Sequence, residues 1–172
     1  MGKIVSRGLL TVYVVILIWL VLFKFSFNIS SILDSRNRSL NLIPFAAPSI
    51  VNGGINFGEI LYNCLVFVPF GLLLHVNFKK VGFLPKLAFI LVFSLTAEVI
   101  QYIFAIGATD ITDLITNTVG GFLGLKLYNL GNKYLHDKKL DGVIISLGTL
   151  LLVVFVSMVA THFGPFRSRG MR

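Results

Sequence analysis

The sequence predicts an all-α fold, a membrane-embedded bundle of five transmembrane helices. Of its 172 residues, 56% are hydrophobic and only 13% are charged, with a mean hydropathy of +0.89. Five helices of the length that crosses a bilayer use roughly 100 residues and leave about 70 for all loops and tails. That remainder excludes a further soluble domain, so we expect a single membrane domain over residues 1–172 and neither a cytosolic enzyme nor a receptor with a globular head.

The first predicted span covers residues 8–27 and follows Lys3 and Arg7. A cleaved signal peptide is the alternative, but no small-x-small cleavage site follows the apolar run, so we favour a retained helix. Lys24 then reaches the interface through its aliphatic stem. A long polar connection follows and contains the patch Asn41-Leu-Ile-Pro-Phe45, which we expect to dip back into the interface.

Four further spans are predicted from the remaining apolar runs. The second covers residues 56–78 and contains Pro69, which predicts a kink because proline removes a helical hydrogen bond. The third covers residues 84–106, and a short turn at 107–110 leads into the fourth at residues 111–130. The fifth covers residues 143–163 and has no ionised group.

The distribution of positive charge predicts a cytoplasmic N-terminus. Cytoplasmic loops carry an excess of Lys and Arg. With this orientation nine of the 15 basic residues are cytoplasmic: Lys3, Arg7, Lys79, Lys80, Lys86, Lys126, Lys133, Lys138 and Lys139. The net charge of +8 is then explained by anchoring at the membrane and contact with anionic lipid, so we expect no nucleic-acid partner.

Seven polar side chains lie inside the predicted spans or directly at their ends, and a charged group near the bilayer centre costs at least ~2.5–3.5 kcal/mol on insertion scales. They are at the start of the second span, in the last third of the third and at the start of the fourth. Because these helix ends lie on one side of the membrane, we predict a polar cleft that opens at the extracytoplasmic face. Its residues are Glu59, Asn63, Glu98, Gln101, Asp110, Asp113 and Asn117.

One face of the fourth helix carries both acids and glycines. At 100° per residue the acids, an amide and the glycines fall within an arc of about 100°, and small residues allow helices to approach closely in membranes. We therefore expect this helix to lie against the third, with its acids in the cleft. The residues assigned to packing are Pro69, Gly71, Gly120, Gly121 and Gly124.

Four motifs together resemble the VanZ-like family of small bacterial multi-pass membrane proteins, named for a teicoplanin-resistance protein. They lie between residues 41 and 128. In order they are Asn41-Leu-Ile-Pro-Phe45, Asn63-x-x-x-Phe67-x-Pro69-x-Gly71, Glu98-x-x-Gln101 and Asp110-Ile-Thr-Asp113-x-x-x-Asn117-x-x-Gly120-Gly121. The resemblance implies a multi-pass protein of the bacterial plasma membrane and resistance to lipophilic glycopeptides.

The chain departs from the family pattern just before the first aspartate. Many members carry a basic residue there, whereas this chain has Gly107-Ala108-Thr109. If that basic residue pairs with the acids in other members, the partner here must come from elsewhere, and the candidates are Arg36 and Arg38 in the outer loop.

Three functional hypotheses follow. In the first, a non-enzymatic protein binds a membrane lipid, a lipid-linked cell-wall intermediate or a lipophilic glycopeptide, with Arg36 and Arg38 pairing with phosphate. In the second, a membrane-embedded enzyme acts on a lipid or polyprenyl substrate, with Glu98 and Asp113 as acid or base. In the third, a homodimer forms a small proton-coupled carrier.

Structural roles are the alternative for the same residues. Asp110 can be a helix N-cap, with Asp113 completing a capping box, and Asn63 and Asn117 can make interhelical amide hydrogen bonds. No cofactor is predicted beyond a divalent cation, for which the candidate ligands are Glu59, Asp110 and Asp113.

Overall fold

A computed structural model describes residues 2–23, 38–45, 50–51, 54–55 and 57–163 of the chain. Within these residues the fold is a bundle of five helices, which confirms the predicted all-α class. The helices are α1 (Gly2–Phe23), α2 (Phe57–Asn77), α3 (Phe83–Phe104), α4 (Ile111–Tyr134) and α5 (Asp137–Phe163).

Four of the described helices are long and apolar enough to cross a membrane. These segments are Gly2–Phe23, Phe57–Asn77, Phe83–Phe104 and Asp137–Val159. Helix α4 is not among them, because acids, amides, glycines and lysines interrupt its apolar sequence. The count of five spans therefore stays a prediction, as does the cytoplasmic N-terminus.

The helix ends differ from the predicted spans mainly in the polar flanks. Helix α1 begins at Gly2 and α5 at Asp137, because hydrogen-bonded turns extend beyond the apolar stretch that hydropathy identifies. Residues 24–27 of the predicted first span lie outside the described residues. Helix α2 continues through Pro69 without interruption.

Helices α2 and α4 make the most extensive helix contact in the described bundle, and glycines form its closest part. A Cβ atom added to Gly120 would collide with the carbonyl of Cys64, one on Gly124 with the carbonyl of Val68, and one on Gly71 with the carbonyl of Gly121. Backbones that touch in this way leave no space for a side chain. The glycine face of α4 was expected against α3, but it packs chiefly on α2.

Helix α3 also packs against the glycine face of α4. A Cβ atom on Gly121 would lie 2.6 Å from Cγ2 of Ile90, a residue of α3. Ile90 also belongs to a cluster of buried apolar side chains from four helices: Leu17, Phe67, Phe70, Leu74, Ile90 and Leu125. Because lipid tails are as apolar as these side chains, close packing stabilises such a cluster in a bilayer more than removal from water does.

Two short strand pairs lie at the opposite end of α2 from Asn77. Strand β1 (Arg38–Asn41) pairs in parallel with β4 (Gly107–Asp110), and β2 (Ile50–Val51) pairs antiparallel with β3 (Gly54–Ile55). The connection between α3 and α4, which was predicted to be a simple turn, is therefore extended and hydrogen-bonded to β1, in the segment between α1 and α2. In this register Asn41 lies opposite Asp110.

An ion pair joins the α2–α3 connection to α5 at the other end of the bundle. Nζ of Lys79 lies 2.6 Å from Oδ2 of Asp141, whose Oδ1 accepts a 2.7 Å hydrogen bond from the hydroxyl of Tyr128. Burial disfavours the ammonium of Lys79, but its hydrogen bonds to Asp141 and Tyr128 outweigh this and raise the pKa of Lys79 above its usual value.

Candidate functional site

The predicted polar residues collect where α2 begins, α3 ends and α4 begins. Five of the seven are buried: Glu98, Gln101, Asp110, Asp113 and Asn117. Glu59 and Asn63 are half-buried on successive turns of α2. Glu98, Asp110 and Asp113 each expose only 3–6% of their surface. The predicted open cleft is thus, in the described residues, a closed cluster of polar groups between helix ends.

Asp110 is the N-cap of α4 and also accepts a hydrogen bond from strand β1. Its Oδ1 accepts a 2.7 Å hydrogen bond from the backbone N–H of Thr112, which satisfies one of the free donors in the first helical turn. Its Oδ2 accepts a 3.0 Å hydrogen bond from Nδ2 of Asn41. Both carboxylate oxygens therefore hold the chain itself, one within α4 and one across to β1.

Glu98 joins the end of α3 to the start of α4. Its Oε2 accepts a 3.0 Å hydrogen bond from the backbone N–H of Asp110, and the hydroxyl of Thr109 donates to the carbonyl of Glu98 at 3.1 Å. These contacts hold strand β4 against the last turns of α3. A buried carboxylate needs such donors, because an unsatisfied charge at this depth is costly.

Asp113 connects α4 to α2. Its Oδ1 accepts a 2.7 Å hydrogen bond from Nδ2 of Asn63, a short contact of the charge-assisted kind. Glu59 lies one turn before Asn63 on the same helix face. The pair Asn63–Asp113 therefore fixes the rotation of α2 relative to α4 one turn inside the helix ends.

Two buried amides complete the contacts between helices. Nδ2 of Asn117 donates to Oγ of Ser94 on α3 at 3.0 Å. Nε2 of Gln101 donates to the carbonyl of Val21 at 3.0 Å, near the C-terminus of α1, where carbonyls lack helical partners. The amide oxygens of Asn117 and Gln101 have no hydrogen-bond donor among the residues that the structure describes. They are acceptors available for water or a ligand.

Residues 40–45 form an exposed apolar rim next to this cluster. The rim consists of Leu40, Leu42, Ile43 and Phe45, and Ile43 exposes 68% of its surface. Oδ1 of Asn41 accepts from the backbone N–H of Ile43. The backbone N–H of Phe45, at a left-handed φ of 57°, donates to the hydroxyl of Thr112 at 3.0 Å. The buried polar residues thus hold the rim on the end of the bundle.

Two candidate ligand groups are not brought together in the described part of the chain. Arg36 and the side chain of Arg38, the candidate phosphate contacts, lie outside the described residues. No three His, Cys, Asp or Glu side chains among the described residues come close enough to hold a metal ion. The metal hypothesis for Glu59, Asp110 and Asp113 stays a prediction.

Three residues of the site were not predicted from the sequence. Ser94 lies four residues before Glu98, so the helical period that grouped Glu98 with Gln101 includes it on the same face. Thr109 and Thr112 flank Asp110 and bind backbone groups across the α3–α4 connection. No local signal marks them, because their partners lie on other elements.

Comparison with known proteins now decides the family. A family model described as VanZ/LLP1 matches residues 10–132. The chain belongs to this family. Protein VanZ of Enterococcus faecium is 64% identical over 162 residues, which cover 94% of this chain and 96% of that relative. The resemblance predicted from the four motifs is therefore confirmed. No solved structure matches the chain.

The polar residues of the site, from Asn41 to Asn117, lie within the segment that matches the VanZ/LLP1 family model. With its four candidate spans, the chain is a membrane-type protein of this family.

Proposed function

We propose that this VanZ-family protein is a non-enzymatic, multi-pass protein of the bacterial plasma membrane that lowers susceptibility to teicoplanin. Its N-terminus is cytoplasmic and all five helices span the bilayer. The extracytoplasmic end binds a lipophilic ligand, either the glycopeptide itself or the lipid-linked cell-wall intermediate, and so alters the access of the drug to its target.

The exposed apolar rim next to the buried carboxylates is the observation that carries this proposal. Leu42, Ile43 and Phe45 present an apolar surface at the level of the helix ends, where an acyl chain at the membrane interface can meet it. Exposed apolar patches of this kind typically mark binding surfaces. Beneath the rim, the amide oxygens of Gln101 and Asn117, which lack a hydrogen-bond donor among the described residues, suit the amines and sugar hydroxyls of a ligand that has both an acyl chain and a polar head.

The distribution of residues around α4 supports a transmembrane position for it. The side of α4 that carries the acid, the amide and the glycines is buried against α2 and α3. Its exposed side includes the apolar residues Val119, Phe122, Leu123, Leu127 and Leu130. A 24-residue helix measures about 36 Å, enough for a hydrocarbon core of about 30 Å. Average hydropathy undervalues such a helix because Asp113 and Asn117 are buried between helices, and its exposed polar residues, Lys126, Asn129, Asn132 and Lys133, lie in its C-terminal half.

The partners of the acids favour binding over catalysis. Oε2 of Glu98, both oxygens of Asp110 and Oδ1 of Asp113 accept hydrogen bonds from the chain's own donors. A general acid or base must instead reach a proton of its substrate within hydrogen-bond distance. We therefore assign these carboxylates to positioning structural elements: Glu98 and Asp110 hold β4 and β1 at the helix ends, and Asp113 holds α2 against α4.

Direct binding in nanodiscs tests the proposal. Purified protein is titrated with teicoplanin, with vancomycin and with a polyprenyl-linked cell-wall precursor. We expect saturable binding of teicoplanin or the precursor and none of vancomycin, with binding weakened at least about tenfold in Ile43→Ser. Leu84→Ser is the matched control, since Leu84 is similarly exposed (74%, against 68% for Ile43) but lies in the first turn of α3, at the opposite end.

Absence of saturable binding for both teicoplanin and the precursor contradicts the proposal, as does equal binding of vancomycin. The enzyme alternative is tested in the same preparation with labelled polyprenyl phosphate, with and without Mg²⁺. Turnover that depends on Glu98 would replace the binding function with a catalytic one.

A further inference from the structure

An apolar groove lies at the end of the bundle opposite the polar cluster. It runs between α1, α2 and α3 and has a volume of about 540 Å³. Its walls are apolar except for Thr11 and Lys86, and include Leu10, Val14, Leu74 and Phe89. No residue of the polar cluster or of the apolar rim lines it, so it is a separate site.

Among the residues that the structure describes, Lys86 is the only charged side chain that lines this groove, and it is 3% exposed. It lies in the first turn of α3 but does not extend to the surface, as lysines near helix ends usually do. Among the described residues it has no hydrogen bond or ion pair. The acids at this end, Asp137 and Asp141, pair with Lys79 instead.

The positive charge at this end is not confined to the groove. Nδ2 of Asn77 donates to the carbonyl of Ser6 at 3.2 Å, so the start of α1 lies level with the end of α2. This brings Lys3 and Arg7 of α1 to the same end as Lys79 and Lys80 of the α2–α3 connection. Such a group of basic residues attracts anionic head groups at a membrane surface.

We propose that the groove binds one acyl chain of an anionic glycerophospholipid, with the lipid phosphate paired to Lys86. The apolar walls accept the chain, and the phosphate supplies a counter-ion that no described residue gives Lys86. A buried charge in a membrane protein is normally paired or faces a functional cavity. Occupation of this site is independent of the ligand proposed for the opposite end of the bundle.

Native mass spectrometry of the full-length protein in detergent tests the proposal. The protein is titrated with phosphatidylglycerol or with phosphatidylcholine of the same acyl chains. We expect the first phosphatidylglycerol to bind at least about tenfold more tightly, the usual value of one charge-assisted contact. Lys86→Gln should remove this preference. Lys80→Gln, which changes an exposed lysine at the same end, should keep it.

A second pair of variants tests the groove without altering the buried charge. Val15 lines the groove and is 63% exposed, whereas Val12 is 43% exposed, lies on the same helix and does not line it. Val15→Trp should weaken the first phosphatidylglycerol at least about fivefold by closing the groove, and Val12→Trp should not. Equal affinity for the two lipids in the unmodified protein overturns the proposal. So does an unchanged preference in Lys86→Gln, or unchanged binding in Val15→Trp.

Discussion

Oε2 of Glu98 accepts a hydrogen bond from the backbone N–H of Asp110 at 3.0 Å, although both residues are acidic and lie 12 positions apart. The contact is made through the backbone, so the carboxylate of Asp110 is directed towards Asn41 and Thr112 instead. Two acids thereby share one buried site, each with its own donors. These hydrogen bonds hold the end of α3, the start of α4 and strand β1 together.

Substitutions of Glu98 should show whether its contribution to stability comes from the hydrogen-bond acceptor or from the negative charge. Glu98→Gln retains an oxygen that can accept from Asp110, whereas Glu98→Leu leaves that buried N–H without its acceptor, at a cost of about 1–3 kcal/mol. We expect a clearly lower midpoint of thermal unfolding for Glu98→Leu than for Glu98→Gln, measured by circular dichroism in detergent. Equal midpoints for the two variants would show that the hydrogen bond does not stabilise the end of the bundle.

The contact between Asn63 and Asp113 should contribute to the stability of the α2–α4 pair. Asn63→Ala removes a 2.7 Å donor from a buried carboxylate, and we expect the free energy of unfolding to fall by about 1–3 kcal/mol. Asn132→Ala, which alters an exposed amide near the end of α4, is the control and should change it by less than about 0.5 kcal/mol. A similar fall in the free energy of unfolding for both variants would show that the contact between Asn63 and Asp113 does not stabilise the α2–α4 pair.

Two glycine substitutions should have opposite effects. Gly120→Ala places a Cβ against the carbonyl of Cys64, so α2 and α4 must separate, which we expect to cost at least about 2 kcal/mol. Gly142→Ala meets nothing within 4 Å and should be neutral or stabilise α5 by up to about 1 kcal/mol. Chemical unfolding in mixed micelles measures both. A neutral Gly120→Ala would contradict the close approach of the two helices.

The ion pair between Lys79 and Asp141 should be insensitive to pH across the physiological range. The pKa of Lys79 is raised above its usual value, so the stabilisation is fully present below about pH 10. It is lost only as the pH rises through the raised value. A double-mutant cycle with Lys79→Met and Asp141→Leu should give the same coupling energy at pH 6 and pH 9. A coupling that fell between these values would contradict the assigned partners of Lys79.

The sequence predicts the helices well because their signals are local. Apolar length identifies α1, α2, α3 and α5, and the helical period places Asp113, Asn117 and the glycines of α4 on one face, which the structure buries. The period specifies a face but not the neighbour it meets. The glycines were expected against α3, and only the backbone collision between Gly120 and Cys64 shows that α2 lies closest.

The outer segment illustrates what local signals miss. Strand β1 has four residues, too few for an alternating pattern, and its partner lies 69 positions away at Asp110. Depth along the helices predicted an open cleft. Among the described residues, β1 and the rim that follows it cover the start of α4, because Asn41 and Phe45 bind there.

The susceptibility of intact cells tests the central claim most directly. Minimal inhibitory concentrations of teicoplanin and vancomycin are measured in a susceptible host that expresses the protein, Ile43→Ser or Leu84→Ser at equal membrane levels. We predict a rise of at least about fourfold for teicoplanin alone, retained in Leu84→Ser and lost in Ile43→Ser, because Ile43 belongs to the apolar rim that contacts the lipophilic ligand and Leu84 does not. An equal rise for both drugs, or full protection by Ile43→Ser, would contradict the account.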